Sequence, residues 1–103
     1  MTIPYNNPER IQYGFLGSQH RIRINTKITL TGATCKIYYI KPNGATGNWT
    51  ANIDGTYVYY DPASTSIIDQ RGKWFLYAHI TKGGVVYIGK TVLMIITNPG
   101  SNI

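Results

Sequence analysis

The chain predicts an all-β domain, and three observations carry that prediction. Short runs alternate apolar and polar residues; Gly, Pro, Asn and Asp interrupt them about every eight to twelve residues; and no stretch holds a period of 3.6. A length of 103 residues supplies one hydrophobic core. Strands at this spacing fold as a sandwich or barrel, here of about seven strands. With 43% hydrophobic and 14% charged residues, the chain is too apolar and too weakly charged for a disordered one. Its polar fraction is rich in Thr, Asn, Gly and Tyr, which suit pleated surfaces and tight turns.

Residues 1–18 include Pro4 and Pro8 and end in GFLGS, which predicts an irregular amino-terminal arm ahead of a domain spanning 19–103. Ile3, Tyr5, Ile11, Tyr13, Phe15 and Leu16 make that arm apolar without a clean period. A free tail avoids such residues, so the arm either packs across its own domain or docks on a neighbour. On the second reading Ile3, Tyr5, Ile11, Tyr13 and Phe15 are its assembly contacts. Deleting residues 1–16 is then expected to leave a folded domain that no longer assembles.

From residue 19 the punctuation is regular. HRIRIN alternates as a first strand, placing Arg21 and Arg23 on one exposed face, and TKITLTGA reads as a second extended piece with its turn. In TCKIYYIK, Cys35, Ile37 and Tyr39 project to one side and Lys36, Tyr38 and Ile40 to the other. Pro42 cannot donate a ladder hydrogen bond, and Asn43-Gly44 readily takes the positive φ of a hairpin. The chain therefore reverses, and Trp49, Ala51 and Ile53 alternate on the return strand, where an inward Trp49 buries about 200 Å². TYVYYD sets Tyr57 and Tyr59 against Val58 and Tyr60. The connection PASTSIIDQRG has room for one helical turn capped by Ser66. KWFLYAHITK carries a core stripe of Trp74, Leu76, Ala78 and Ile80 opposite Lys73, Phe75, Tyr77 and His79, and VVYIGKTVLMIIT supplies one or two further strands.

Few residues offer chemistry. His20 and His79 are the ordinary bases, neither in a nucleophile motif, and the acids number four: Glu9, Asp54, Asp61 and Asp69. Asp54 before Gly55 and Asp61 before Pro62 read as turn residues bonding nearby backbone amides. Their spacing pairs no carboxylates for glycoside hydrolysis. One Cys and two distant His make no zinc set, and calcium loops need more acid. GATGNWT lacks the Lys-Ser/Thr ending of a phosphate loop. No catalytic, cofactor or metal site is expected. Cys35, within an alternating strand, reads as a small core residue.

The net charge of +6 raises a nucleic-acid or anionic-membrane partner. The cations are scattered, however, which fits solvated faces or acidic protein neighbours, so neither partner is expected. MTIPYNNPER lacks a secretory pattern, and no apolar run approaches the ~20 residues that span a bilayer. Nine tyrosines exceed what a small core absorbs, so some serve the surface, where they suit protein contact or sugar stacking.

The LTGAT of residues 30–34, the KPNG turn of 41–44, the RGKWFLYAHI of 71–80 and a closing strand after Gly89 together resemble the small immunoglobulin-like domains of tailed-phage structural proteins, including the amino-terminal domain of phage upper baseplate proteins. The resemblance implies an immunoglobulin-like β-sandwich that is not an enzyme. It implies a virion component, made in the host cytoplasm and present in many copies of a symmetric assembly, docked on capsid, neck, tail or baseplate proteins through its arm, strand edges and exposed tyrosines. A carbohydrate or host-surface binding module, with a host glycan as ligand, is the alternative.

Overall fold

The structure is a computed structural model that describes residues 11–98. Eight strands form it: β1 (Ile11–Phe15), β2 (Ile22–Asn25), β3 (Thr34–Ile40), β4 (Thr46–Asp54), β5 (Tyr57–Tyr60), β6 (Gly72–Lys82), β7 (Val85–Ile88) and β8 (Val92–Thr97). They join in one mixed sheet of order β1-β8-β6-β3-β4-β5-β2, with β7 beside β6. β1 runs parallel to β8 and every other pairing is antiparallel.

The sheet turns its corner along β4. Residues 46–51 pair with β3, whereas Asn52, Ile53 and Asp54 pair with β5. The two ends of the path then come together through one side chain. Gln12 on β1 donates from Nε2 to the Arg23 carbonyl of β2 at 2.7 Å and accepts the Arg23 N–H on Oε1 at 3.3 Å. This amide imitates a strand's own hydrogen bonds and nearly closes the sheet into a barrel.

Inside lie the residues that the alternation of two predicts. Trp74, Leu76, Ala78 and Ile80 are buried, as are Cys35, Ile37 and Val58, and Trp49 is only 8% exposed. Tyr39, Ala51, Ile53 and Tyr60 pack against this core. Trp49 is its aromatic hub: it stacks on Tyr60 at 4.8 Å and on Trp74 at 6.3 Å, and meets Tyr39 at 4.6 Å. The Trp74 indole N–H, which needs a partner once buried, donates to the Gln70 carbonyl at 2.9 Å. Burial pushes the Cys35 thiol pKa up, because the interior penalises a thiolate.

A hairpin forms at KPNG, but with Gly44 alone at positive φ, 90°, rather than the Asn43-Gly44 pair: Gly44 N–H donates to Lys41 O across Pro42-Asn43, Lys41 N–H donates to Ala45 O, and Asn43 Oδ1 accepts Ala45 N–H. Just beyond it, Tyr39 lies flat across Gly47, where an added Cβ would fall 2.6 Å from Tyr39 Cζ. Gly47→Ala is therefore expected to push the ring off Trp49 and cost about 1–3 kcal/mol by overpacking, read as a lower denaturant midpoint.

Five expectations are corrected. Residues 11–15 are not irregular arm but a strand of the sheet; Leu16 packs on the core, its N–H donating to Thr97 O, and Gly17 N–H donates to Ile68 O. β1 was hidden because its apolar side, Tyr13 and Phe15, faces outward while Gln12 and Gly14 sit over Met94 and Ile96, and because its partner, β8, lies at the far end of the chain. The stretch TKITL is a loop, since Lys27 takes φ 62° and Leu30 is drawn wholly into the core. No helix occurs among the described residues. In the 61–71 connection Ser64, not Ser66, accepts the local bond, from Ser66 N–H at 3.4 Å, and Ile68 fills the interior.

The fourth concerns Asp61, which bonds no turn amide here but forks onto Arg21: Nε to Oδ1 at 2.8 Å and Nη2 to Oδ2 at 3.1 Å. Eight strands replace about seven because VVYIGKTVLMIIT is two. Ile80 faces Tyr87, and Leu76 faces Val92, so the strand opposite β6 gains one residue around Gly89. That bulge, tied by Gly89 N–H to Ala78 O at 2.9 Å, reverses which parity points inward.

Candidate interaction face

The outer sides of the sheet differ in kind. Over β2 and β5 the surface is polar and self-paired. Arg21 covers the Tyr59 ring at 3.9 Å while holding Asp61, and Arg23 covers Tyr57 at 4.7 Å. The hydrogen bonds to Asp61 hold the Arg21 pKa above its ordinary value. Guanidinium over ring is a favourable cation–π arrangement, and here it occupies ring faces that a ligand would need.

Across β1, β8, β6 and β3 the outer surface is apolar and open. Register puts Tyr13 beside Ile95, and Phe75 between Leu93 and Ile40. Tyr77 and Tyr38 follow in the next row, stacked at 5.4 Å with an interplanar angle of 8°, and His79 tilts against Tyr38 at 5.1 Å. Tyr13 is 71% exposed, Phe75 41% and Ile40 39%. Single exposed apolar residues are ordinary on protein surfaces; here Ile95 and Leu93, neighbours along β8, link Tyr13 to Phe75 and Ile40 in a patch over four strands that Lys73 interrupts, and such a patch is a candidate interaction site.

Among the described residues, charge on this face is of one sign. Lys73 stands opposite Ile95, and Lys36 opposite His79. Of the acids, Asp61 is held by Arg21 and Asp69 by Lys41, whose Nζ lies 3.1 Å away. Asp54 closes β4 opposite Tyr57, on the polar side.

Of the residues expected as assembly contacts, Tyr13 and Phe15 project onto the apolar face. Ile3, Tyr5 and the Ile11 side chain lie outside the described residues. Phe75, Ile40, Leu93 and Ile95 lie on the same face and were not among those expected, although the signal was present. β6 is apolar on both stripes at its centre, and VLMII is apolar at both parities, a pattern that belongs to a strand covered on both sides. The surface tyrosines divide too. Tyr57 and Tyr59 lie under arginines, Tyr38 and Tyr77 cover each other, and Tyr39 and Tyr60 belong to the core.

Among the described residues, no three His, Cys, Asp or Glu side chains converge to hold a metal ion. His20 precedes β2 with its N–H on Ser18 Oγ, and His79 lies on the apolar face. No helix among these residues is long and apolar enough to cross a membrane. No family model and no curated protein matches this chain.

Proposed function

We propose that the chain is a non-enzymatic structural module of a bacteriophage virion, an immunoglobulin-like unit present in many copies and docked on capsid, neck, tail or baseplate proteins. The observation that carries the docking role is the open apolar face of β1, β8, β6 and β3 set against a polar, self-paired opposite side. The immunoglobulin-like reading is supported by the parallel pairing of the first strand with the last and by the way β4 belongs to both β3 and β5. The virion setting rests on the sequence resemblance. A carbohydrate-binding role has less support, because stacking on sugar needs free ring faces and most strand tyrosines here are covered.

Positive charge around an apolar face fits a partner with an acidic rim, so association is expected to weaken as salt rises. The test is co-sedimentation with purified particles of the phage that encodes the chain. Phe75→Ser combined with Ile40→Ser should leave the circular dichroism spectrum unchanged and abolish co-sedimentation. Undiminished co-sedimentation of that variant, or specific sugar binding on a glycan array by the wild type, would overturn the docking reading.

A further inference from the structure

β7 has an unusual setting. Gly83 and Gly84, at φ 60° and 79°, form a two-residue turn that pairs Lys82 with Val85. Such a turn closes on a hydrogen-bonded pair, and bonded pairs alternate along an antiparallel ladder. Lys82–Val85 and Ile80–Tyr87 are therefore the bonded pairs, and the N–H and C=O groups of Val86 and Ile88 point away from β6. Among the described residues β7 pairs only with β6. Its side chains are exposed on both faces, at 46–60%. Tyr87 is open even though its neighbour Ile80 is buried, because the hairpin overhangs the rim of the sheet.

A strand edge of this kind accepts another strand. Natural proteins blunt such edges with charge or proline, yet VVYI carries neither. Past Ile88 the edge runs into a cleft of about 300 Å³ between β2 and the bulge, lined by Asn25, Thr26, Lys27, Lys90 and Thr91 and by no acid. Lys82, at the opposite end of the hairpin on β6, instead donates from Nζ to the Thr29 carbonyl at 2.9 Å.

We propose that the outer edge of β7 is a strand-addition site for an extended segment of a partner protein, apolar at alternate positions and acidic at its ends. This deepens the docking reading and rests on it. The occupant follows from charge. Acidic ends would meet Lys90 and the acid-free cleft with opposite charge, whereas a second copy, whose β7 and flanking glycines carry no acid, would bring none.

The probe is a synthetic peptide, Asp-Glu-Val-Thr-Val-Thr-Val-Glu-Asp, compared with a counterpart in which lysine replaces each acid. Titration into the full ¹⁵N-labelled chain should shift the Val86 and Ile88 amides, with the acidic peptide binding about tenfold or more tightly than the basic one. Val86→Pro removes an N–H that faces away from β6, a position where an edge strand tolerates proline, and should abolish binding in a folded chain. The wild-type shifts locate the site even if that variant does not fold. Equal binding of both peptides, shifts elsewhere, or no shifts would overturn the proposal. So would a concentration-dependent dimer in sedimentation that folded Val86→Pro chain no longer forms, which would place a second copy on the edge. If wild-type chain and folded Val86→Pro chain co-sediment equally with particles, the edge proposal fails while the docking reading stands. If the wild type does not co-sediment, the docking reading itself fails.

Discussion

Trp74→Ala is expected to cost about 3–5 kcal/mol, a large share of the ~5–15 kcal/mol that holds a domain of this kind together. Trp74 is fully buried, touches the rings of Trp49 and Tyr39, and bonds the Gln70 carbonyl. Truncation leaves a cavity beside two other aromatic rings that β3 and β4 hold in place, so the site cannot collapse to fill it. Trp74→Phe keeps much of the packing and loses the indole hydrogen bond, for about 1–2 kcal/mol. Guanidinium unfolding followed by circular dichroism measures both. Equal midpoints for wild type and Trp74→Ala would mean that the aromatic hub does not support the fold.

Deletion of residues 1–16 is expected to unfold the domain, reversing what the arm reading predicts. β1 supplies the parallel partner of β8, and Ile96 packs beneath Gly14, whose added Cβ would lie 3.2 Å from Ile96 Cδ1. Losing β1 uncovers Met94 and Ile96, roughly 1.5–3 kcal/mol each, and removes Leu16 from the core. It also removes Gln12, whose amide joins the two ends of the sheet. Gln12→Ala separates that tie from the strand's other contributions and should cost about 1–2 kcal/mol for two exposed hydrogen bonds. A truncated chain with a native dichroism spectrum and a cooperative thermal transition would show that β8 does not need its parallel neighbour.

What the sequence determined by itself is local. Alternation of two along β3, β4, β5 and β6 set which side chains face the core, and the KPNG and paired-glycine turns set where the chain reverses. These follow from pleat geometry and the φ freedom of glycine, which need only neighbouring residues. The tertiary structure alone decided the rest. It placed β1 against β8 across some eighty residues of chain. It reversed the inward parity at the Gly89 bulge, matched Arg21 to Asp61, and aligned Tyr13, Phe75, Ile40 and their neighbours into one apolar face. The physical reason is that strand pairing joins residues by register rather than by sequence distance, so a surface assembled from four strands exists only once they lie side by side.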